Sequence, residues 1–592
     1  MSQENIHRLD GSIFAEDGHD GMVHRAFLRA EGFTAEQTRR RPIIGISTSW
    51  SEFNPCNNGF RELAASVKRG VEAAGGLALE FPSISISEPF SRPSSMYLRN
   101  LMAMDVEETI LATPIDGVVL LGGCDKTVPA VLMGAISAGR PAVLVTAGPR
   151  PVACWKGKPT TVDEQWEVID QRRHGELSDE DWAAFEGIIH GGVGTCNVMG
   201  TATTMAAIGE LLGFMLPGGA LPPAADPERQ ALAERTGRLI VDVVARGEVP
   251  RSKITLESLE NAVRMVGALG GSTNALIHLE AIAGRAGLRI GFERMREWLG
   301  TTPFITDVKP NGQALLSDLD AAGGIPAVAA RIRHLLHEDV PTADGRTWGQ
   351  VFDGLAPASG SARASAAAGG SDAEGSAQPI ADPAAPLRES GMAVVRGSLA
   401  PDGAVMKLAG AAASKLKHRG RAVVFDGVAD MWAKIDRDDL DVDADSVLVL
   451  RGVGPQGGPG MPEVGHVPIP AKLVKEGVTD MLRVTDARMS GTSVGSVVLH
   501  VAPEAAVGGP LAYVEDGDLI ELDVAAGTLE LLVDPAVLAT RTPMPRGTDA
   551  ARGWGRLYAD HVLQADEGVD MDFLLDDSLQ RPQQQKKEGA AR

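Results

Sequence analysis

The feature that most restricts the fold is a change of pattern at residues 357–386 of this 592-residue chain. Before it, from about residue 40 to 350, short apolar runs alternate with helix-like stretches. The runs are Ile43–Ser47, Leu77–Ile84, Val118–Leu121 and Ala142–Val145, with helices predicted around 60–74, 94–111, 127–138, 199–213 and 226–246. Runs so short and apolar suit strands buried on both faces. Their alternation with helices predicts a doubly wound α/β domain with a largely parallel sheet. After the change the signals are mainly β, in Met392–Leu399, Arg421–Asp426, Ser446–Arg451, Leu482–Thr485 and Ser496–Val501, and a hairpin-like pair, Asp518–Val524 and Leu529–Val533, flanks Gly527. They predict a second, β-rich domain of barrel-like or sandwich form. The stretch between is Ala, Ser, Gly, Pro and Asp with almost no large apolar residue, so it cannot bury enough surface to offset ordering entropy. The expected organisation is an amino-terminal arm (1–39), an α/β domain (40–356), a flexible linker or surface insertion (357–386), a barrel-like domain (387–579) and a disordered polar tail (580–592).

Composition narrows the class. At 44% hydrophobic the chain reads as an ordinary globular protein with more than one core. A net charge of −22 argues against nucleic acid as partner, because phosphate binding needs clustered basic surface. The start, Met1-Ser2-Gln3-Glu4-Asn5, has neither the basic nor the apolar part of a secretory signal, and the apolar runs are too short to span a bilayer. The expected compartment is the cytoplasm, where thiols stay reduced and bind metals rather than pair.

Four cysteines occur, at 56, 124, 154 and 196. Cys124 lies in Gly122-Gly123-Cys124-Asp125-Lys126-Thr127, between a predicted strand and a predicted helix, where open α/β sheets collect ligands. Cys56, in Asn54-Pro55-Cys56-Asn57-Asn58, and Cys196, in Gly194-Thr195-Cys196-Asn197, also precede predicted helices. A thiol at a helix amino terminus is expected to have a lowered pKa, and three such thiols could ligate one metal cluster. Isolated cysteines are more often small buried apolar residues, the reading kept for Cys154.

Three further stretches are individually ambiguous. Gly270-Gly271-Ser272-Thr273-Asn274 opens a predicted helix, as a cap or an anion site. Glu463 closes the breaker-rich run from Gly457, as a surface charge or a placed ligand. Asp486-Ala487-Arg488-Met489-Ser490-Gly491-Thr492 ends a strand in a simple turn or a catalytic hydroxyl. In this order, together with Pro55–Asn57, Gly122–Thr127, Gly194–Cys196 and Leu399–Val405, these stretches resemble the dihydroxy-acid and sugar-acid dehydratase family. The likeness runs from the Gly21–Arg25 region to about residue 560.

That resemblance implies a hydro-lyase with its site between the two domains. It implies an iron-sulfur cluster on Cys56, Cys124 and Cys196, of the [2Fe-2S] type in sugar-acid relatives, with one iron left open as a Lewis acid. It implies Mg²⁺ on Glu88, Asp125 and Glu463, with Lys126 carbamylated by CO₂, and Ser490 as the base in alkoxide form. The amides of Gly491 and Thr492 would meet the substrate carboxylate. Relatives are homodimers or homotetramers, with the arm reaching toward a partner subunit. The text around Ser490, at Gly194–Ala202 and at His418–Phe425, looks more like the sugar-acid branch. The expected substrate is therefore an aldonate, a pentonate such as L-arabinonate or D-xylonate, giving a 2-keto-3-deoxy acid. The alternatives are a dihydroxy-acid dehydratase of branched-chain amino acid synthesis and a non-catalytic zinc-binding or redox-sensing thiol protein. The last would leave Glu88, Asp125 and Glu463 without a role, and the close cysteine pairs usual in zinc sites are absent.

Overall fold

The computed structural model describes residues 11–355, 378–545, 550 and 552–579. The first half is built on β1 (Ile43–Thr48), α1 (Phe60–Ala73), β2 (Leu77–Pro82), α2 (Ser95–Ala112), β3 (Gly117–Leu121), α3 (Thr127–Ala138), β4 (Ala142–Val145), α4 (Thr201–Leu211), α5 (Pro227–Arg246), α6 (Leu256–Leu269) and α7 (Asn274–Arg285). Every residue of β3 and β4 is buried, as in strands covered on both sides. The four strands run parallel in the order β2-β1-β3-β4. Side chains alternate between two cores: Val118, Leu120 and Leu144 meet Met102, Val106 and Val131 of α2 and α3, while Val119, Leu121 and Val143 meet Val67, Val71 and Ile240 of α1 and α5. Helices on both faces make the sheet doubly wound.

The second half contributes β5 (Met392–Gly397), β6 (Ala400–Lys407), β7 (Lys417–Asp426), β8 (Val447–Arg451), β9 (Arg483–Thr485), β10 (Val497–Ala502), β11 (Leu519–Asp523) and β12 (Thr528–Leu531). They close into a barrel in the order β8-β9-β10-β6-β5-β12-β11-β7, with β7 pairing back onto β8. This settles barrel against sandwich. Val395, Met406, Val424, Val449, Val484 and Ile520 share its interior core, while Val423, Phe425, Leu448 and Leu450 form another with Met431 and Leu473.

Three features differ from the expected organisation. Residues 357–377 lie outside the described residues, as does the tail from 580, but residues 378–386 are not a free linker. They pack on the first half through the bridge Thr306↔Ile380 and a bond from the Ala381 N–H to Ile305 O at 2.7 Å. After the barrel, the helix Gly553–His561 and the turns that follow return to the first half. Arg285 meets Asp570 at 2.7 Å with both side chains buried, and Arg99 Nη2 donates to the carbonyls of Gly568 and Val569 at 2.9 and 2.8 Å. Neither segment has a strong pattern of its own, so only tertiary packing fixes it. Cys154, read as buried, is exposed on the short hairpin strand Ala153–Trp155.

Helices α1 and α5 pack backbone against backbone because Gly70 and Gly237 face each other. A Cβ on Gly237 would lie 2.2 Å from Val67 O, and one on Gly70 would lie 2.0 Å from Glu234 O. Alanine's helix propensity would contribute about 1 kcal/mol in favour, but overpacking against rigid backbone costs about 1–3 kcal/mol. Gly237→Ala is therefore expected to lower the thermal unfolding midpoint. Gly187→Ala, on the helix Asp179–Ile188 with nothing within 4 Å of the added carbon, should leave it unchanged or raise it.

Candidate active site

Loops at the carboxyl edge of the sheet build one side of the site. The loop after β1 carries Cys56, that after β2 carries Glu88, and that after β3 carries Cys124, Asp125 and Lys126. Asn57 locks the first to the third: its Oδ1 accepts the Cys124 N–H at 3.1 Å and its Nδ2 donates to Ser49 O at 3.1 Å. A side chain at Gly123 would lie 2.7 Å from Asn57 Oδ1, so this approach requires glycine. Asn54 Nδ2 donates to Ile86 O at 2.8 Å and so ties the Cys56 loop to the Glu88 loop. Thr127 holds the Cys124 turn, accepting from the Gly123 N–H and donating to Cys124 O, each at 3.0 Å.

Glu88, Asp125 and Glu463 each present a carboxylate oxygen within 4.8 Å of the others. The buried Lys126 ammonium lies among them, 3.1 Å from Glu88, 2.9 Å from Glu463 and 3.5 Å from Asp125. Glu463 Oε1 also accepts from Arg488 Nη1 at 2.6 Å and from Asn274 Nδ2 at 2.7 Å, and Ser95 Oγ donates to Glu88. Burial alone would raise the Glu88 carboxyl, but the charges of Lys126 and Arg488 bring it down to about 2. Burial and the Glu88 charge push Glu463 up, against the pull of Lys126 and Arg488. Burial and Arg488 would lower Lys126, yet the three carboxylates hold it above the usual lysine range.

Of the three thiols, Cys56 and Cys124 are buried and Cys196 is half-buried. Cys124 shares a side-chain hydrogen bond with Cys56, and Cys196 lies near enough to feel the charges of Arg150, Asp125 and Cys124. The lowered thiol pKa expected from the helix amino termini is reversed at Cys124 and Cys196. The bond with Cys56 and then burial hold Cys124 well above the usual thiol range, and burial pushes Cys196 up to about 12. Cys124 and Cys196 keep their protons at neutral pH unless a metal displaces them. The two donor sets differ in hardness: clustered oxygens suit Mg²⁺, and sulfurs suit iron.

The turn Ser490-Gly491-Thr492 follows directly on Arg488 and Met489, both tied into the cluster: Arg488 binds Glu463, and Met489 O accepts from Asn274 Nδ2 at 3.3 Å. Ser490 Oγ lies 2.9 Å from Thr492 Oγ1, which accepts from Trp166 Nε1 at 2.8 Å. Among the described residues no histidine or carboxylate partners the Ser490 hydroxyl. Gly491 packs against the start of α4, where a Cβ would lie 2.7 Å from the Thr201 N–H nitrogen. The buried Lys407 ammonium is 3.3 Å from Gly491 O, and burial lowers it to about 7, only partly offset by Asp163.

Sequence reasoning quoted Asn274 and Arg488 within motifs but assigned neither a contact. Asn274 reads as part of a helix cap, yet Thr273 makes no capping bond and the Asn274 side chain reaches across to Glu463. Lys407, Ser95, Trp166 and Arg150 carried no signal beyond being polar. Arg488 Nε and Nη2 and Asn274 Oδ1 are buried and, among the described residues, unpartnered, so the site offers polar atoms to something that enters it.

A closed barrel set against a doubly wound sheet, with carboxylates, thiols and a serine turn brought together between them, gives the site of an enzyme with two candidate metal-donor sets. The dihydroxy-acid/6-phosphogluconate dehydratase N-terminal family matches residues 41–351, and its C-terminal counterpart matches residues 378–569. The chain belongs to this family of dehydratases, which includes sugar-acid dehydratases, and is a hydro-lyase. It is similar to an L-arabonate dehydratase of Azospirillum brasilense, 44% identical over 95% of this chain and 96% of the relative. It is similar also to a 6-deoxy-6-sulfo-D-gluconate dehydratase of Pseudomonas putida, 42% identical over 95% of each. A dihydroxy-acid dehydratase of Acidothermus cellulolyticus is 38% identical over 93% of this chain and 97% of the relative. Among the described residues no helix is long and apolar enough to cross a membrane.

Two outcomes test this geometry. Asn274→Ala removes a hydrogen bond to a charged group, worth about 1.5–3 kcal/mol, and is expected to lower kcat/KM roughly 10- to 150-fold with the fold retained by circular dichroism. His500, buried on β10 with both ring nitrogens unpartnered among the described residues, is lowered to about 3 by burial and then by Arg488. Its unfolded form binds a proton below about pH 6.5 while the folded form does not, so its contribution is complete above that pH and is lost as pH falls toward 3. The loss from this ring amounts to about 2 kcal/mol at pH 5. His500→Asn, which the left-handed backbone there tolerates (φ 60°), is expected to show a shallower fall in denaturation free energy between pH 7 and pH 5 than the parent.

Proposed function

We propose that the chain dehydrates a sugar acid, an aldonate and by preference a pentonate such as L-arabinonate or D-xylonate, to a 2-keto-3-deoxy acid and water. One observation carries this: Glu463 Oε1 joins Lys126, Asn274 and Arg488, bringing the carboxylate cluster and the Ser490 turn to one place. The names and identities of the sugar-acid relatives support the substrate class.

Glu88, Asp125 and Glu463 would hold Mg²⁺, with Lys126 as a carbamate, and Cys56, Cys124 and Cys196 would hold an iron-sulfur cluster. Bound there, these groups supply Lewis acidity for the charge on the substrate carboxylate and for the departing hydroxyl. The protein's own part is the proton. Ser490 Oγ takes it from C2, a hydroxyl leaves C3, and the resulting enol tautomerises to the keto acid. Proton and hydroxyl together account for the water. A free serine is a poor base, so the reading needs positive charge at the turn, and Lys407 beside Gly491 O, lowered to about 7, contributes it in its protonated form. Thr492 Oγ1, 2.9 Å from Ser490 Oγ, and the Thr492 N–H, which donates to the same oxygen at 3.4 Å, stabilise the alkoxide by hydrogen bonding, and the Gly491 and Thr492 amides would meet the substrate carboxylate. The proposed assembly is a homodimer or homotetramer, and the proposed compartment is the cytoplasm.

The test is 2-keto acid formation by anaerobically purified, Mg²⁺-supplemented protein from L-arabinonate, D-xylonate, D-gluconate and 2,3-dihydroxyisovalerate, with iron and sulfide assayed on the same sample. Turnover of a pentonate by iron-loaded protein is expected. Activity confined to dihydroxyisovalerate would instead place the chain in branched-chain amino acid synthesis. Ser490→Ala is expected to lower kcat by about 10²–10⁴, the range for a lost general base, with iron content unchanged.

A further inference from the structure

The proposed chemistry gives no role to Arg150, five residues beyond β4 and 6% exposed. Its guanidinium is directed wholly at the cysteine loops. Nη2 donates to Gly194 O at 2.9 Å and lies 3.8 Å from Cys56 Sγ; Nε donates to Thr195 O at 3.1 Å; Nη1 donates to His190 Nδ1 at 2.6 Å. The Arg150 N–H also donates to Thr195 O at 2.9 Å, and Pro149 forms a parallel bridge with Thr195. One side chain thus touches the Cys56 sulfur and both residues that precede Cys196.

Arg99 and Arg229 are buried on carbonyls and neutral side chains as Arg150 is, and Arg150 differs from them in also facing a thiol sulfur. Taking a guanidinium out of water is costly unless an opposite charge accompanies it, and the buried arginines Arg285 and Arg483 each have a carboxylate within 2.7 Å. Among the described residues no carboxylate lies within 4.0 Å of Arg150. Its acceptors are two carbonyls, a ring nitrogen and a sulfur. Thiolate ligands of a cluster would bring the missing negative charge to the atom that Nη2 faces.

We propose that Arg150 is a positioning residue for the iron-sulfur cluster, fixing the Cys56 thiolate relative to the Cys196 loop and setting the cluster's reduction potential and its resistance to loss. The proposal rests on the reading that these thiols hold a cluster. A permanent positive charge and a hydrogen bond at a ligand sulfur favour the more negative, reduced form and so raise the potential. Tethering two ligand loops opposes the loop opening through which a cluster is shed.

The experiment uses anaerobically prepared holoenzyme, wild type and with Arg150→Met, Arg150→Lys or His190→Ala. It measures iron and sulfide per chain, the midpoint potential by dye-mediated optical titration, and the rate at which the visible cluster absorbance is lost in air. Arg150→Met is expected to shift the reduction equilibrium at least tenfold toward the oxidised form, about 59 mV for a one-electron couple, and to lose its cluster several-fold faster. Arg150→Lys, which keeps the charge without the fork, should restore most of the potential but not the air stability. His190→Ala, which frees one end of the guanidinium, should shed the cluster faster at near wild-type potential. An Arg150→Met protein with full iron and sulfide, wild-type potential and a wild-type rate of loss overturns the proposal alone. If Arg150→Met folds but takes up no cluster, the positioning role is supported, and wild-type rates of loss in both Arg150→Lys and His190→Ala would still overturn it. Wild-type protein without iron or sulfide after reconstitution would overturn the underlying reading, and this inference with it.

Discussion

A single carboxylate oxygen, Glu463 Oε1, ties the two halves of the molecule together. Lys126 and Asn274 reach it from the α/β half at 2.9 and 2.7 Å, and Arg488 reaches it from the barrel half at 2.6 Å. Lys126, Asn274 and Arg488 are all buried. Removing one partner of a buried charge group leaves the others uncompensated, at a cost of about 3–5 kcal/mol. The docking of barrel on sheet is therefore inseparable from assembly of the site. Apart, the α/β half would leave Lys126 with two of its three carboxylates, and the barrel half would leave Glu463 with Arg488 but without Lys126 and Asn274.

From that constraint follows the separation of the two donor sets. The sheet's carboxyl edge delivers both kinds of ligand within one loop, Cys124 beside Asp125 and Lys126, and the neighbours of that loop sort them. Cys56 and the Cys196 loop gather on one side with Arg150, and Glu88 and Glu463 on the other with Arg488. Each set has its own buried guanidinium. The turn of Ser490 joins the oxygen side, because Arg488 and Met489 immediately before it are pinned by Glu463 and Asn274.

The layered part of the fold was legible because its cause is local. β3 and β4 are continuous apolar runs, and α1 and α5 are periodic; each pattern points to one structure. Closure of the barrel was not, since an alternating strand reads the same in a barrel or a sandwich until β7 pairs with β8. The return of residues 553–579 to the first half depends on Arg99, Arg285 and Asp570, contacts whose partners are more than a hundred residues apart in sequence. The cysteines stood out because cysteine is rare in the chain and glycine-rich turns are poor places for a buried apolar residue. Asn274 and Arg488 were hidden by ambiguity: asparagine beside a helix start is ordinary capping chemistry, and an arginine after a strand is ordinary surface chemistry. Only the approach of Glu463 gives them another meaning. The lowered thiol pKa failed at Cys124 and Cys196 because the Cys56 contact and burial at the first, and burial at the second, outweigh the field of a helix end.

The charge of the oxygen cluster bears on what it can hold. Glu88, Asp125 and Glu463 against Lys126 and Arg488 leave one net negative charge in a buried space. Converting the Lys126 ammonium to a carbamate would replace a positive charge by a negative one and leave four negative charges facing Arg488 alone, a net of three. That state is too costly to persist without a counter-ion, and one divalent cation restores the single negative charge of the unmodified cluster. If the proposed carbamate and Mg²⁺ form at this site, they would be thermodynamically coupled, each stabilising the other. The ammonium lies among the same carboxylates that would ligate the metal, so the unmodified lysine would compete with the cation and a carbamate would recruit it.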